Sequence, residues 1–327
     1  MYGIVTLSFF LNKSMPGGPV EALRADIYAN PELYGLPQNP PEYRVQEIIE
    51  ETIKVPISKP IHEAYLDYMK FVFIDFDLGE SIAVAAGVDV TQLILLRAPW
   101  TIFISTITLI FGIVVGITLG AFMAYYEGTK FDIGMTASMV LSGGIPYYIA
   151  GILLLYILGF QLGWFPTGGR VNPDYEAGLN WNWISSVFYY GALPSLSFIL
   201  TSFGGRALGM RANSIRLLGS DYLRNAHLRG LSTYRISVTY LARNAILPLW
   251  TSIVVGLGGL LGGAVIMERI FQYPGMGLLI FEAAVLRDFP VLMGSLVITT
   301  FLFVLGTLLA DFTYPLIDPR ADMKTSR

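Results

Sequence analysis

Long apolar runs alternate with polar breaks along this chain, and the later runs are long enough to cross a bilayer. They predict helices at roughly 101–126, 135–160, 187–205, 249–267 and 291–314. Trp100 and the pair Tyr125 and Tyr126 stand at the ends of the first of these, where amphipathic aromatic rings anchor a span at the interface. Residues 1–12 carry another apolar stretch, MYGIVTLSFFL, only half the ~20 residues a membrane helix needs. It has neither the basic start nor the small-residue cleavage site of a signal peptide. It is read as a first transmembrane helix truncated at its N-terminal end, the alternative being a short helix. The sum is six spans.

The polar segments orient them. Residues 13–98 contain thirteen Asp or Glu, from Glu21 to Asp89, against seven Lys or Arg, which suits the outside. Prolines 31, 37, 40, 41, 56 and 60 punctuate this segment, and EYRVQEIIEETIK and HEAYLDYMKFVFI between them have amphipathic helical spacing. A small, α-rich outer domain is expected. The break at 206–248 is different: it holds Arg206, Arg211, Arg216, Arg224, Arg229, Arg235 and Arg243 against the single acid Asp221, a bias that places it in the cytoplasm. The turn EGTKFD and a tail at 315–327 fall on the same side.

Small residues mark the helices. Gly112, Gly116 and Gly120 recur every fourth position and offer a smooth face for close helix packing. Gly143, Gly144 and Pro146 interrupt the next run, as a bend lining a pathway or as a tolerated kink. Gly258, Gly259, Gly262 and Gly263 make the fifth span the least bulky. Beyond it, Pro274, Gly275 and Gly277 give turn chemistry before an apolar helical turn.

Composition narrows the class. The chain is 54% hydrophobic and 14% charged, a membrane composition, and its net charge of −3 adds little because acids and bases are segregated. With no cysteine there is no disulfide or thiolate chemistry, and His62 and His227 lie in different segments, which counts against a histidine metal site. No G-x-x-x-x-G-K-[ST], H-E-x-x-H or G-x-S-x-G occurs. An ion-coupled transporter would place ionisable groups in mid-membrane; the apolar cores of the second to fifth spans show none, and Asp311 lies late in the sixth.

Within the basic break, Ser220 is placed to cap a short helix that begins at Asp221 and closes at Gly230, a residue suited to a left-handed terminus. Leu223, Ala226, His227 and Gly230 would form one narrow face for a partner to grip. The run DYLRNAHLRGLS with LARNAILP resembles the cytoplasmic coupling motif of ABC-importer permeases of the dipeptide/oligopeptide branch. Arg224, Asn225 and Ala226 stand where that family has Glu-Ala-Ala, Gly230 is its glycine, and Leu231 follows. The long spacer to Leu247 and Pro248 resembles the peptide-type variant. LNKSMPGGPV, FDLGESI, the LGW-P residues Leu162, Gly163, Trp164 and Pro166, YPGMGLLIFEAAVLRDFPVLMGS and LIDPR extend the likeness over most of the chain.

The resemblance implies an all-α membrane protein with the six helices of the type I ABC-importer permease fold, its core at 99–314, and a small extracellular α-rich insertion after the first helix. It implies a subunit, not an enzyme, in a prokaryotic cytoplasmic membrane with both termini inside. It holds no cofactor of its own, ATP and Mg being bound by partners. Those partners are a second homologous permease, two ABC ATPase subunits, an extracellular substrate-binding protein and the lipid bilayer, with no nucleic acid. Asp221, Leu223, Arg224, Asn225, Ala226, His227, Arg229, Gly230 and Leu231 would form the ATPase contact, and Pro274, Gly275 and Gly277 an outer gate. Short peptides are the expected solute, with oligosaccharides and then nickel chelates as alternatives.

Overall fold

A computed structural model of the chain describes residues 2–14, 18–54, 59–246, 249 and 265–317. Among these, every regular element is helical apart from one isolated antiparallel bridge between Glu80 and Asp89. The chain divides into two compact units, Met1–Pro99 with Gly275–Val304, and Trp100–Pro274 with Leu305–Arg327.

The first unit contains α1 (Tyr2–Ser14), α2 (Pro19–Ala29), α3 (Glu42–Ile53) and α4 (Ile61–Lys70), and proline placement sets the starts of the last three. Pro19 occupies the first turn of α2, while Pro41 and Pro60 immediately precede α3 and α4, where a missing N–H leaves no helical bond unmade. Val45, Ile49 and Ile53 lie on one face of α3 and are buried with Val5, Phe9, Leu23, Ile27, Ala64, Tyr68 and Val297. The N-terminal helix and the polar segment after it therefore share one core.

The chain then enters α5 (Val90–Tyr125), well before the expected start near 101. Asp89 caps this helix, its Oδ1 accepting the Gln92 N–H at 3.0 Å, and Pro99 is carried inside the helix. In the second unit α6 (Lys130–Gly143) and α7 (Tyr147–Leu154, continuing in wider turns to Gln161) meet at 89°. The corner between them is sharp because Pro146 has no N–H to continue α6, and its carbonyl instead starts α7 by accepting from Ile149 and Ala150. The interrupted run is therefore two helices rather than one kinked one.

α8 spans Trp181–Ile215, capped by Asn180. It runs straight through Arg206 and corrects the assignment of 206–215 to a loop: Ala207, Leu208, Met210 and Arg211 all favour helix, so the polar break has no local reason to begin there. The last helix, Phe289–Ile317, extends the predicted 291–314 at both ends. Among the described residues α5, α8 and Phe289–Leu309 are long and apolar enough to span a membrane, and the bent pair would make a fourth. The predicted fifth span lies almost wholly outside the described residues, and the apolar part of α1, Tyr2–Leu11, is shorter than a span.

Candidate functional site

The helix expected to dock a partner is present as α9 (Asp221–Leu228). Its N-terminus is built differently from the expectation. The Ser220 hydroxyl donates to the Leu217 carbonyl at 2.7 Å instead of capping α9, while the Ser220 carbonyl takes the Leu223 and Arg224 amides at 3.1 and 3.2 Å. Its C-terminus closes as expected: Gly230 adopts φ +68°, its amide donates to the His227 carbonyl at 2.9 Å, and the Leu231 amide reaches back to Ala226 at 3.3 Å.

The face of α9 corrects the sequence reading. Leu223 and Ala226 are buried against Ala124, Ile236 and Leu241 of the same unit, so they hold the helix onto its own chain. His227 lies over Tyr125 at the end of α5, with ring centroids 5.7 Å apart and planes 5° from parallel. Its Nδ1 is 2.9 Å from the Leu223 carbonyl, which only accepts, so Nδ1 carries a proton; in the neutral ring Nε2 accepts from the Tyr125 hydroxyl at 3.1 Å. The side left bare carries Asp221, Arg224, Asn225, Leu228 and Arg229, with Leu228 78% exposed. Leu231 is partly buried beside the Leu223 cluster. Leu228 was not among the expected contacts; an apolar residue amid Arg and Asn on a short amphipathic helix was the available signal.

The glycine stripe of α5 meets α8. A Cβ on Gly112 would come within 2.5 Å of Arg206 Nη1, on Gly116 within 3.0 Å of Arg206 Cβ, and on Gly120 within 2.3 Å of the Ala207 carbonyl oxygen. The α8 backbone and the Arg206 side chain come this close because α5 presents no side chain at these positions. Gly143, Gly144 and Pro146 form the exposed corner between α6 and α7, where the Gly144 amide donates back to Val140 and Leu141. Gly258, Gly259, Gly262 and Gly263, with Leu247 and Pro248, lie outside the described residues.

Pro274 is half-buried at the end of the second unit's chain run, and Gly275, with extended backbone, precedes the helix Met276–Leu286 of the first unit. Gly275 and Gly277 are buried. This helix carries Glu282, paired with Arg97 at 3.4 Å. Just beyond it the fully buried Asp288 takes the Ser81 hydroxyl at 2.5 Å and the Ala83 and Val84 amides at 3.0 and 2.9 Å, while its other oxygen takes the Val291 amide at 3.3 Å. The acid thus ties the FDLGESI segment to the start of the last helix. Sequence reasoning had singled out both stretches without seeing that they meet.

Comparison with known proteins places this geometry. The family described as "Binding-protein-dependent transport system inner membrane component" matches residues 116–323. The chain is 30% identical to the oligopeptide transport system permease protein AppB of Bacillus subtilis, over 98% of this chain and 95% of that one. It is 27% identical to the di/tripeptide transport system permease protein DppB of Pseudomonas aeruginosa, over 98% and 94%. Among solved structures, a chain of the inward-facing MetNI methionine ABC transporter has the same fold, with a TM-score of 0.54 at 14% identity, covering 69% of this chain and 97% of that one.

Proposed function

The chain belongs to the binding-protein-dependent transport system inner membrane component family and is a permease subunit of an ABC importer; from that premise we propose that it moves short peptides inward by alternating access. In this reading a second homologous permease completes the pathway, two ATPase subunits supply the energy, and an outer binding protein delivers the solute. The basic segment beyond α8, residues 216–248, and both termini lie in the cytoplasm, and residues 13–98 lie outside.

One observation carries the coupling step. α9 is fastened to its own unit by Leu223, Ala226 and the His227–Tyr125 stack, so a push on its bare face reaches the end of α5 without first displacing the helix. That face is one turn wide and mixes Leu228 with Arg224, Asn225 and Arg229, the composition of a helix received by a groove. ATPase closure acting there would rock α5, and with it α8, which packs on the α5 glycines.

The peptide assignment rests on the named relatives and the long spacer of the coupling motif. It is tested by purifying the importer with whatever subunits accompany it and titrating its binding protein in a calorimeter. Binding of di- to pentapeptides is expected. Tight binding of cello-, xylo- or malto-oligosaccharides with no heat from peptides would overturn the solute and leave the permease assignment standing.

A further inference from the structure

Arg206 lies inside α8 and reaches across to α5, where its Nη1 lies at Gly112. Gly112 is twelve residues beyond Trp100 in α5, about 18 Å along the helix, which puts the guanidinium near the middle of the span. The residue is half-buried, and Nη1 is buried without a hydrogen-bond partner among the described residues. Of the hydroxyls in the same condition, Thr108 Oγ1 and Ser202 Oγ are the ones nearest to Gly112 and Arg206 along α5 and α8.

Their positions are related. The two helices run the same way, since Gly191 meets Phe103, Gly112 meets Arg206 and Gly120 meets Ala207 and Met210. Thr108 precedes Gly112 by four residues and Ser202 precedes Arg206 by four, so both hydroxyls sit one turn further out on the facing sides. A cation and two hydroxyls, each with a donor unmet among the described residues, thus line one stretch of the α5–α8 seam. A charge at this depth is costly against lipid and stands facing the bundle interior or a water-filled path. A guanidinium fork is shaped for the two oxygens of a carboxylate, and the hydroxyls add donors of the same kind.

We propose that Arg206, with Thr108 and Ser202 one turn outward, is a carboxylate-binding station on the translocation path that receives the C-terminal carboxylate of the passing peptide. This rests on the peptide-importer reading. A carboxylate from the partner permease is the other source of the same chemistry, and the test separates the two.

The complete importer is reconstituted in liposomes, and uptake of one tripeptide is compared with uptake of its C-terminal amide, each at a concentration saturating the binding protein. Arg206→Gln is expected to lower free-acid uptake about tenfold, the effect of one lost charge-assisted hydrogen bond, and amide uptake less than about twofold. Arg206→Lys, which keeps the charge without the fork, falls between on the free acid. Equal loss on both peptides overturns the proposal and assigns Arg206 to packing or to a partner carboxylate. A wild type that moves neither peptide overturns the peptide reading, and the carboxylate with it. Arg206→Cys, the one thiol in this chain, is then probed with a hydrophilic cationic reagent. Reaction that slows as peptide is supplied supports the station, and absence of reaction removes position 206 from any aqueous path.

Discussion

The Arg211 guanidinium meets both carboxylate oxygens of Asp132, Nε to Oδ1 at 2.6 Å and Nη2 to Oδ2 at 2.7 Å, and so joins α8 to the first turn of α6. Asp132 also takes the Gly128 amide at 3.0 Å, and its side chain is 3% exposed against 24% for Arg211. Removing one partner leaves a desolvated charge, so Asp132→Asn should destabilise the detergent-solubilised protein by about 3 kcal/mol. The double variant Asp132→Asn/Arg211→Gln should lose less than the two singles added together. Additive losses in thermal unfolding would show that the fork does not couple the two helices.

Gly120 and Gly134 separate packing from glycine content. A Cβ on Gly120 would sit 2.3 Å from the Ala207 carbonyl oxygen and 2.7 Å from Met210 Cβ, whereas Gly134 has nothing within 4 Å. Gly120→Ala must part α5 from α8 and should cost about 1–3 kcal/mol. Gly134→Ala should leave the melting temperature unchanged or slightly raised, since alanine favours helix. Equal behaviour of the two variants in a thermal melt would refute the close approach.

The two faces of α9 should respond oppositely. Ala226→Leu overfills a buried position and should lower stability by about 1–3 kcal/mol. Leu228→Ala removes a side chain 78% exposed in the isolated chain, so the melt should hold while ATPase retention in pull-downs drops about tenfold. Full retention by Leu228→Ala would move the contact elsewhere. Gly230→Val meets no neighbour within 4 Å but forces a β-branched residue to φ +68°, a backbone cost of about 1–2 kcal/mol that should fray the end of α9.

Sidedness is open to chemical labelling because the chain has no cysteine. Gln38 and Ser232 are both exposed, whereas Ser214, in the same basic segment as Ser232, is fully buried and would not report. An impermeant thiol reagent applied to intact cells should modify Gln38→Cys and spare Ser232→Cys. The reverse pattern would invert the topology and end the importer reading.

Period and composition along the chain determined a good deal. Apolar runs of membrane length announced α5, α8 and the last helix, because spanning demands an uninterrupted local stretch that any window reveals. Gly230 announced the left-handed end of α9, since that conformation is chosen by the residue itself. The order of the motifs carried the family. Tertiary structure alone decided which way the parts face. The pattern at Leu223 and Ala226 fits an inner or an outer face equally, and burial against Ala124, Ile236 and Leu241 settles it as inner, while His227 stays exposed at the edge, stacked on Tyr125. The charge of Arg206 reads as the start of a loop until glycines far away in sequence, Gly112 and Gly116, supply the groove in which a helical arginine can lie. Asp132 and Arg211, 79 residues apart, and Ser81 and Asp288, 207 apart, are likewise ordinary polar residues in their own neighbourhoods. A local window records how one segment alternates; it holds no trace of which distant segment will close over it.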